Sequence, residues 1–228
     1  MSTQIDTPSY VIDNPSQRTG CVLVLDASGS MNNQTPKGST RIQELNSGIE
    51  VFEHELKNDQ TAKQRVQLAI VCVGGGAAAE GAALMLDWTD AQYFSAFPLT
   101  AASETKLGKG LEIALEAIEQ QKGFYKANGI KYTCPWVMVI TDGEPTDEAA
   151  NWADAVQKCK EAETKKKCVI YPIGVGGANM AVLQQISGIT PALKLDEVKF
   201  TELFKWLSNS LRTVSQGTPG QTSQLPST

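Results

Sequence analysis

The sequence is poor in residues that hold soft metal ions. It contains a single histidine, His54, and its five cysteines include no CxxC pair. A structural zinc site needs several thiolate or imidazole ligands in one place, so we predict no zinc site and interpret the cysteines as buried thiols. His54 stands between Glu53 and Glu55, off the apolar stripe of a predicted helix, and we interpret it as a solvated surface residue rather than a catalytic base.

Phosphate-binding loops, excess positive charge and long apolar runs are also missing. Neither GxxxxGK[ST] nor GxGxxG is present, so we interpret the glycine triplet at 74–76 as a flexible turn. The 20 basic and 25 acidic residues give a net charge of −5, which argues against nucleic acid as a partner. No apolar run reaches the roughly 20 residues of a membrane span, and residues 1–15 lack the apolar core of a secretory signal. We therefore expect a cytoplasmic protein without membrane partners.

One folded domain accounts for most of the chain. A length of 228 residues with 41% hydrophobic content suits a single core. Residues 1–19 are rich in Ser, Thr, Asn, Pro and Gln, which predicts an extended or flexible N-terminal lead-in. Residues 215–228 have a similar composition and predict a disordered tail. The domain itself is expected at residues 20–214.

Apolar runs of strand length alternate with amphipathic segments across this domain. Runs rich in Val and Ile, without polar alternation, are typical of strands buried on both faces, and they occur at 21–25, 66–73, 136–140 and 169–175. Helical periodicity or composition appears at 42–56, 107–118, 148–166, 179–186 and 199–214. Residues 82–87 predict an antiparallel edge strand, and residues 192–195 a weak strand. The order predicts a Rossmann-like, doubly wound α/β fold with about six mostly parallel strands and helices on both faces.

Oxygen-bearing side chains directly follow two of the predicted strands. The strand predicted at 21–25 is followed by Asp26, Ser28 and Ser30, and the strand predicted at 136–140 is followed by Thr141 and Asp142. Ligands of doubly wound sheets bind beyond the carboxyl ends of the strands, at the point where the strand order reverses. Carboxylates and hydroxyls suit a hard cation, so the sequence predicts a site for Mg2+, with Mn2+ or Ca2+ as alternatives.

The spacing Asp26-x-Ser28-x-Ser30 after a buried strand resembles the opening motif of the metal-ion-dependent adhesion site (MIDAS) of von Willebrand factor A domains. Thr105, which precedes Leu-Gly and a helix, and Asp142 in the segment ITDG are similar to that family's two later motif elements. The resemblance implies that Ser28 and Ser30 bind the metal directly, while the two aspartates act largely through water. Thr105 would join or leave the first coordination sphere. A Glu or Asp of a partner protein would complete it.

Two further segments resemble one group within this family, although they are less specific than the metal motif. The run ITDGEPTD at 140–147 and the run FKWL at 204–207 are similar to bacterial intracellular proteins of the tellurium-resistance TerY group. This resemblance implies a role in a stress response, with a kinase or phosphatase as a candidate partner.

Each motif element also has an ordinary structural interpretation. Asp, Ser and Gly favour turns, so the loop after the first strand could be a turn without ligands. Thr105 could cap a helix. Glu144 and Asp147 are interpreted as first-turn charges that complement the dipole of the following helix.

Three functions remain open from the sequence. The first is a metal-dependent protein-binding module, the second a hydrolase or phosphatase that uses the same cation, and the third a scaffold with a vacant site. A haloacid-dehalogenase-like enzyme would have aspartate at the position of Ser28, and no GxSxG nucleophile motif is present. We therefore predict a binding module and not an enzyme.

Overall fold

The computed structural model describes residue 14 and residues 16–75, 80–195 and 199–218. Most of the predicted lead-in and most of the predicted tail lie outside these described residues. Within them, a helix ends at Ser215, and Ser215 is buried.

Across the described residues, six strands form one sheet in the order β3-β2-β1-β4-β5-β6. β3 pairs antiparallel with β2, and the other neighbours pair in parallel. The strands are β1 (Thr19–Ala27), β2 (Val66–Gly74), β3 (Ala82–Asp90), β4 (Trp136–Thr141), β5 (Val169–Val175) and β6 (Leu193–Leu195). The predicted fold class and its antiparallel edge strand are confirmed.

The helices lie on both faces of the sheet. They are α1 (Arg41–Asn58), α2 (Gln60–Arg65), α3 (Leu107–Ala127), α4 (Ala149–Thr164), α5 (Met180–Leu183) and α6 (Phe200–Ser215). α1, α2 and α6 contribute to the core on one face, whereas α3, α4 and α5 contribute to the core on the other. Sequence periodicity missed α2, because this six-residue helix buries one apolar side chain, Ala62.

β1 explains why the central strands read as unbroken apolar runs. All nine of its residues are buried. Leu23 and Leu25 face the core on the α1 and α6 side, while Val22 and Val24 face the core on the α3 and α4 side. A strand covered on both faces has no solvent side on which polar residues would be favoured.

The chain order reverses at β1, which has β2 on one side and β4 on the other. The loops after β1 and β4 therefore emerge side by side at the carboxyl edge of the sheet. This is the place where doubly wound folds bind their ligands. Among the helices in the described ranges, none has the length and apolar character that a membrane span requires.

Candidate metal centre

The register of β1 and β4 places the two sequence motifs next to each other. Leu25 pairs with Ile140, so Asp26 and Thr141 follow at neighbouring positions. After β1 the chain forms a short 3-10 turn, Gly29–Asn32. This turn holds Ser30 close to the end of β4.

A chain of hydrogen bonds connects the two strand ends. Ser28 Oγ and Ser30 Oγ lie 3.0 Å apart, and Ser30 Oγ donates to Asp142 Oδ1 over 2.6 Å. Because Ser30 gives its one hydroxyl hydrogen to Asp142, Ser28 is the donor between the two serines. Both hydroxyl oxygens therefore keep at least one lone pair for a cation.

Asp26 is fully buried and held by two donors. Its Oδ1 accepts the Ser28 N–H over 2.7 Å, and its Oδ2 accepts the Thr141 hydroxyl. Burial raises the pKa of the Asp26 carboxyl; the hydrogen bonds from Thr141 and Ser28 lower it, and the nearby charge of Asp142 raises it. A bound cation would offset both the desolvation and the repulsion between the two carboxylates.

Gly143 leaves open a space that three oxygen atoms border. A Cβ atom at this position would lie 3.4 Å from Thr105 Oγ1, 3.7 Å from Ser30 Oγ and 3.8 Å from Asp26 Oδ2. Thr105 is buried, and its carbonyl accepts the Thr146 N–H over 2.9 Å, which ties the Thr105 segment to the loop after β4. Oxygens from three separate loops thus converge on one small volume.

The loop with Ser28 is supported from the side of β2. Gly74 has φ +72°, and a Cβ there would approach Ser28 Cα to 2.8 Å, so glycine is required both for the backbone angle and for the close contact. The Gly75 N–H donates to Ala102 O, and the Ala102 N–H donates to Ala27 O. The predicted flexible turn is therefore hydrogen-bonded at its first two glycines; the third lies outside the described residues.

Two residues outside the predicted set of five ligands belong to this centre. Arg41 Nη1 donates to Asp142 Oδ2 over 2.6 Å, and the Arg41 side chain is only 13% exposed. Thr141 holds Asp26, as described above. Thr141 adjoins the motif and could have been suspected from its position. Arg41 starts the next helix, and nothing in the linear sequence indicates that its side chain turns back towards Asp142.

Residues 21–206 match the family of the von Willebrand factor type A domain. The chain belongs to this family. The matched region includes all five predicted metal ligands, and it runs from β1 into α6.

Three solved structures share the fold of this chain at low sequence identity. Proximal thread matrix protein 1 of the mussel byssus has a TM-score of 0.56 and 17% identity, over 87% of this chain and 49% of that one. The pilus adhesin SpaC of Lactobacillus rhamnosus GG has a TM-score of 0.64 and 15% identity, and the match covers 88% of this chain and 31% of SpaC. The vWF domain of the type V pili tip protein Mfa5 of Porphyromonas gingivalis has a TM-score of 0.63 and 10% identity, and the match covers 91% of this chain and 99% of that domain. This von Willebrand factor A chain thus spans less than half of the first two proteins. No curated protein matches it.

Asp147 acts on a different helix of this von Willebrand factor A domain from the one that the sequence suggested. Its carboxylate accepts the N–H groups of Gly108 and Lys109, over 2.9 and 3.2 Å, at the start of α3. α4 begins at Ala149 and has no acidic residue in its first turn, so the interpretation of Glu144 and Asp147 as first-turn charges of this helix is wrong. Because Asp147 caps α3, Thr105 is not needed as a cap, and Lys106 occupies the N-cap position without a side-chain hydrogen bond.

Glu144 and His54 lie away from the converging oxygens. Glu144 Oε1 accepts from Asn179 Nδ2 over 2.7 Å, which links the loop after β4 to the start of α5. His54 is exposed on α1 and contacts Asn58, in agreement with its interpretation as a surface residue.

The donor set of the centre fits a hard divalent cation. Oxygens of Asp26, Ser30 and Thr105 border the space at Gly143, and the Ser28 hydroxyl and the Asp142 carboxylate are hydrogen-bonded to Ser30. Within the described residues, no three His, Cys, Asp or Glu side chains come together, so hydroxyls would have to supply the remaining ligands. Oxygen ligands of this kind suit Mg2+ and not a thiolate-bound metal.

Proposed function

We propose that this domain is a protein-binding module whose divalent cation, most simply Mg2+, recognises a Glu or Asp of a partner protein. Mn2+ and Ca2+ are the alternative cations. The cation would occupy the MIDAS formed by five oxygen-bearing side chains, Asp26, Ser28, Ser30, Thr105 and Asp142.

The observation that carries this proposal is the orientation of the two carboxylates. Each of their four oxygens accepts a hydrogen bond from the protein: Asp26 from Ser28 and Thr141, and Asp142 from Ser30 and Arg41. Carboxylates held in this way keep lone pairs for metal-bound water while their positions stay fixed.

The roles of the individual groups are those that the resemblance to the von Willebrand factor A family implies. Ser28 and Ser30 would bind the cation directly, and Thr105 would join them when its segment allows. Asp26 and Asp142 would hold water molecules on the cation. When bound, the cation supplies positive charge and an open coordination position. Neutral hydroxyl ligands neutralise little of that charge, which favours an incoming carboxylate.

The surroundings of the site support binding rather than catalysis. The one histidine lies exposed on α1 and cannot act as a base at the carboxyl edge. The nearby thiol of Cys72 is buried, and burial raises its pKa to about 11, so it is not an activated nucleophile. These observations favour the binding module over the hydrolase. Turnover of phosphate esters that disappeared in Asp26→Ala would instead support the hydrolase.

Titration with Mn2+, followed by calorimetry or electron paramagnetic resonance, tests the metal site. We expect saturable binding of one ion, weakened about 10- to 100-fold by Ser28→Ala or Asp26→Asn. Ser47→Ala, which removes an exposed hydroxyl on α1, is the matched control and should bind like the wild type. Absence of saturable binding to the folded wild type would refute the proposal.

A peptide array tests the recognition of an acidic residue. Each peptide with one Glu is paired with the same peptide carrying Gln, and binding is measured with Mg2+ and with EDTA. We expect signals that need both Glu and Mg2+. Equal binding of the Glu and Gln members in Mg2+ would contradict recognition through the metal.

The biological setting stays a prediction. All five cysteines are free thiols in the structure, which supports the predicted cytoplasmic location. The solved neighbours include pilus proteins, which makes an adhesive role outside the cell the competing setting. Cell fractionation distinguishes the cytoplasmic setting from the extracellular one. Identification of the protein that co-purifies with this chain would test the predicted link to tellurium resistance.

A further inference from the structure

Arg41 holds a fixed position beside the candidate metal centre. It is the first residue of α1, where the Thr40 side chain and Gln43 form a capping box that fixes the start of the helix. The Arg41 N–H also donates to Asn33 O over 3.0 Å. The fold, and not a flexible surface chain, therefore places the guanidinium against Asp142.

The ion pair between Arg41 and Asp142 is shielded from solvent. The Arg41 side chain is 13% exposed and the Asp142 side chain is fully buried. Charges in such a place are screened weakly by salt and water. A guanidinium keeps its proton at any physiological pH, so this positive charge is permanent.

This charge alters the electrostatic balance of the site. The pairing of Arg41 with Asp142 already offsets part of the negative charge that would attract a cation. The positive charge of Arg41 also repels the cation on entry.

We propose that Arg41 lowers the affinity of the centre for cations. This inference rests on the proposed metal-binding function. A purely structural role would have the opposite effect: if Arg41 only oriented Asp142, removing it would loosen a ligand and weaken metal binding. The sign of the change therefore distinguishes the two roles.

The test compares the Mn2+ affinity of the wild type with that of Arg41→Met, which keeps an apolar stem, and Arg41→Lys, which keeps the charge. We expect Arg41→Met to bind Mn2+ about tenfold more tightly and Arg41→Lys to stay within about twofold of the wild type. Lys37→Gln, which removes an exposed charge that lies 3.8 Å from Glu44, is the control and should change little.

A second measurement uses the trivalent ion Tb3+, followed by its luminescence. Electrostatic repulsion scales with ionic charge, so the gain in Arg41→Met should rise to about thirtyfold. Unchanged or weaker binding by folded Arg41→Met would overturn the inference. If Arg41→Met does not fold, a clear loss of Mn2+ affinity in Arg41→Lys would overturn the inference. Failure of the wild type to bind any of these ions would instead refute the proposed function.

Discussion

Ser30 and Asp142 lie 112 positions apart in the sequence, and their side chains meet at 2.6 Å. This hydrogen bond closes the gap between the loops after β1 and β4. The parallel pairing of β1 with β4 makes the contact possible, because both strands end at the same edge of the sheet. The candidate metal centre is thus a product of the strand order.

Gly143→Ala tests whether the space beside Thr105 holds the cation. The added methyl would lie 3.4 to 3.8 Å from three oxygens of the centre, so it would displace water or metal without a backbone clash. We expect Mn2+ affinity to fall at least about tenfold while the melting temperature without metal changes little.

Gly177→Ala is the matched control for this substitution. An added Cβ at Gly177 meets no atom within 4 Å, and neither glycine has a positive φ. Equal Mn2+ affinities for the two alanine variants would show that the cation does not use the space at Gly143.

Asp147→Ala tests the cap that the structure assigns to α3. The variant leaves the N–H groups of Gly108 and Lys109 without their side-chain acceptor, and we expect a loss of about 1 kcal/mol in the free energy of unfolding. Glu148 occupies the N-cap position of α4 and makes no side-chain cap, so Glu148→Ala should stay within about 0.5 kcal/mol. Urea denaturation measures both. A smaller loss for Asp147→Ala than for Glu148→Ala would contradict the assigned cap of α3.

Two helical glycines should respond to alanine in opposite directions. At Gly48 on α1, an added Cβ would come within 2.6 Å of the Phe204 ring, and we expect a loss of about 1 to 3 kcal/mol in unfolding free energy. At Gly123 on α3 an added Cβ meets nothing, so alanine should stabilise by about 0.5 to 1 kcal/mol. Thermal unfolding of both variants checks this, and stabilisation by Gly48→Ala would mean that α1 and α6 can separate.

The cysteines should be unreactive in the folded protein. All five are buried, and burial raises the pKa of Cys72 to about 11 and that of Cys159 to about 12. A pH of 8 lies about three units below the pKa of Cys72, so the protonated thiol predominates. On the order of one Cys72 in a thousand then carries the reactive thiolate. A disulfide reagent should label the chain slowly at pH 8 and react with five thiols in denaturant. Rapid labelling that disappears in Cys72→Ala would contradict this.

Much of the fold could be predicted from the sequence because buried parallel strands leave a strong local signal. The predicted strand at residues 169–175 coincides with β5, and the run at 66–73 falls one residue short of β2. Helix ends were less well predicted: α3 continues to Ala127, nine residues beyond the last position of the predicted stripe. α2 was missed because a short polar helix has no apolar periodicity.

The alternation of strands and helices and the residue types at the strand ends follow from the amino-acid sequence alone. Apolar runs, their spacing and the DxSxS motif are local features, and each of them constrains the chain where it occurs. Three contacts could be found only in the folded chain: Arg41 pairs with Asp142, Thr141 holds Asp26, and Asp147 caps α3. These contacts join residues 39 to 115 positions apart, and the packing of separate elements, which no local preference encodes, brings them together.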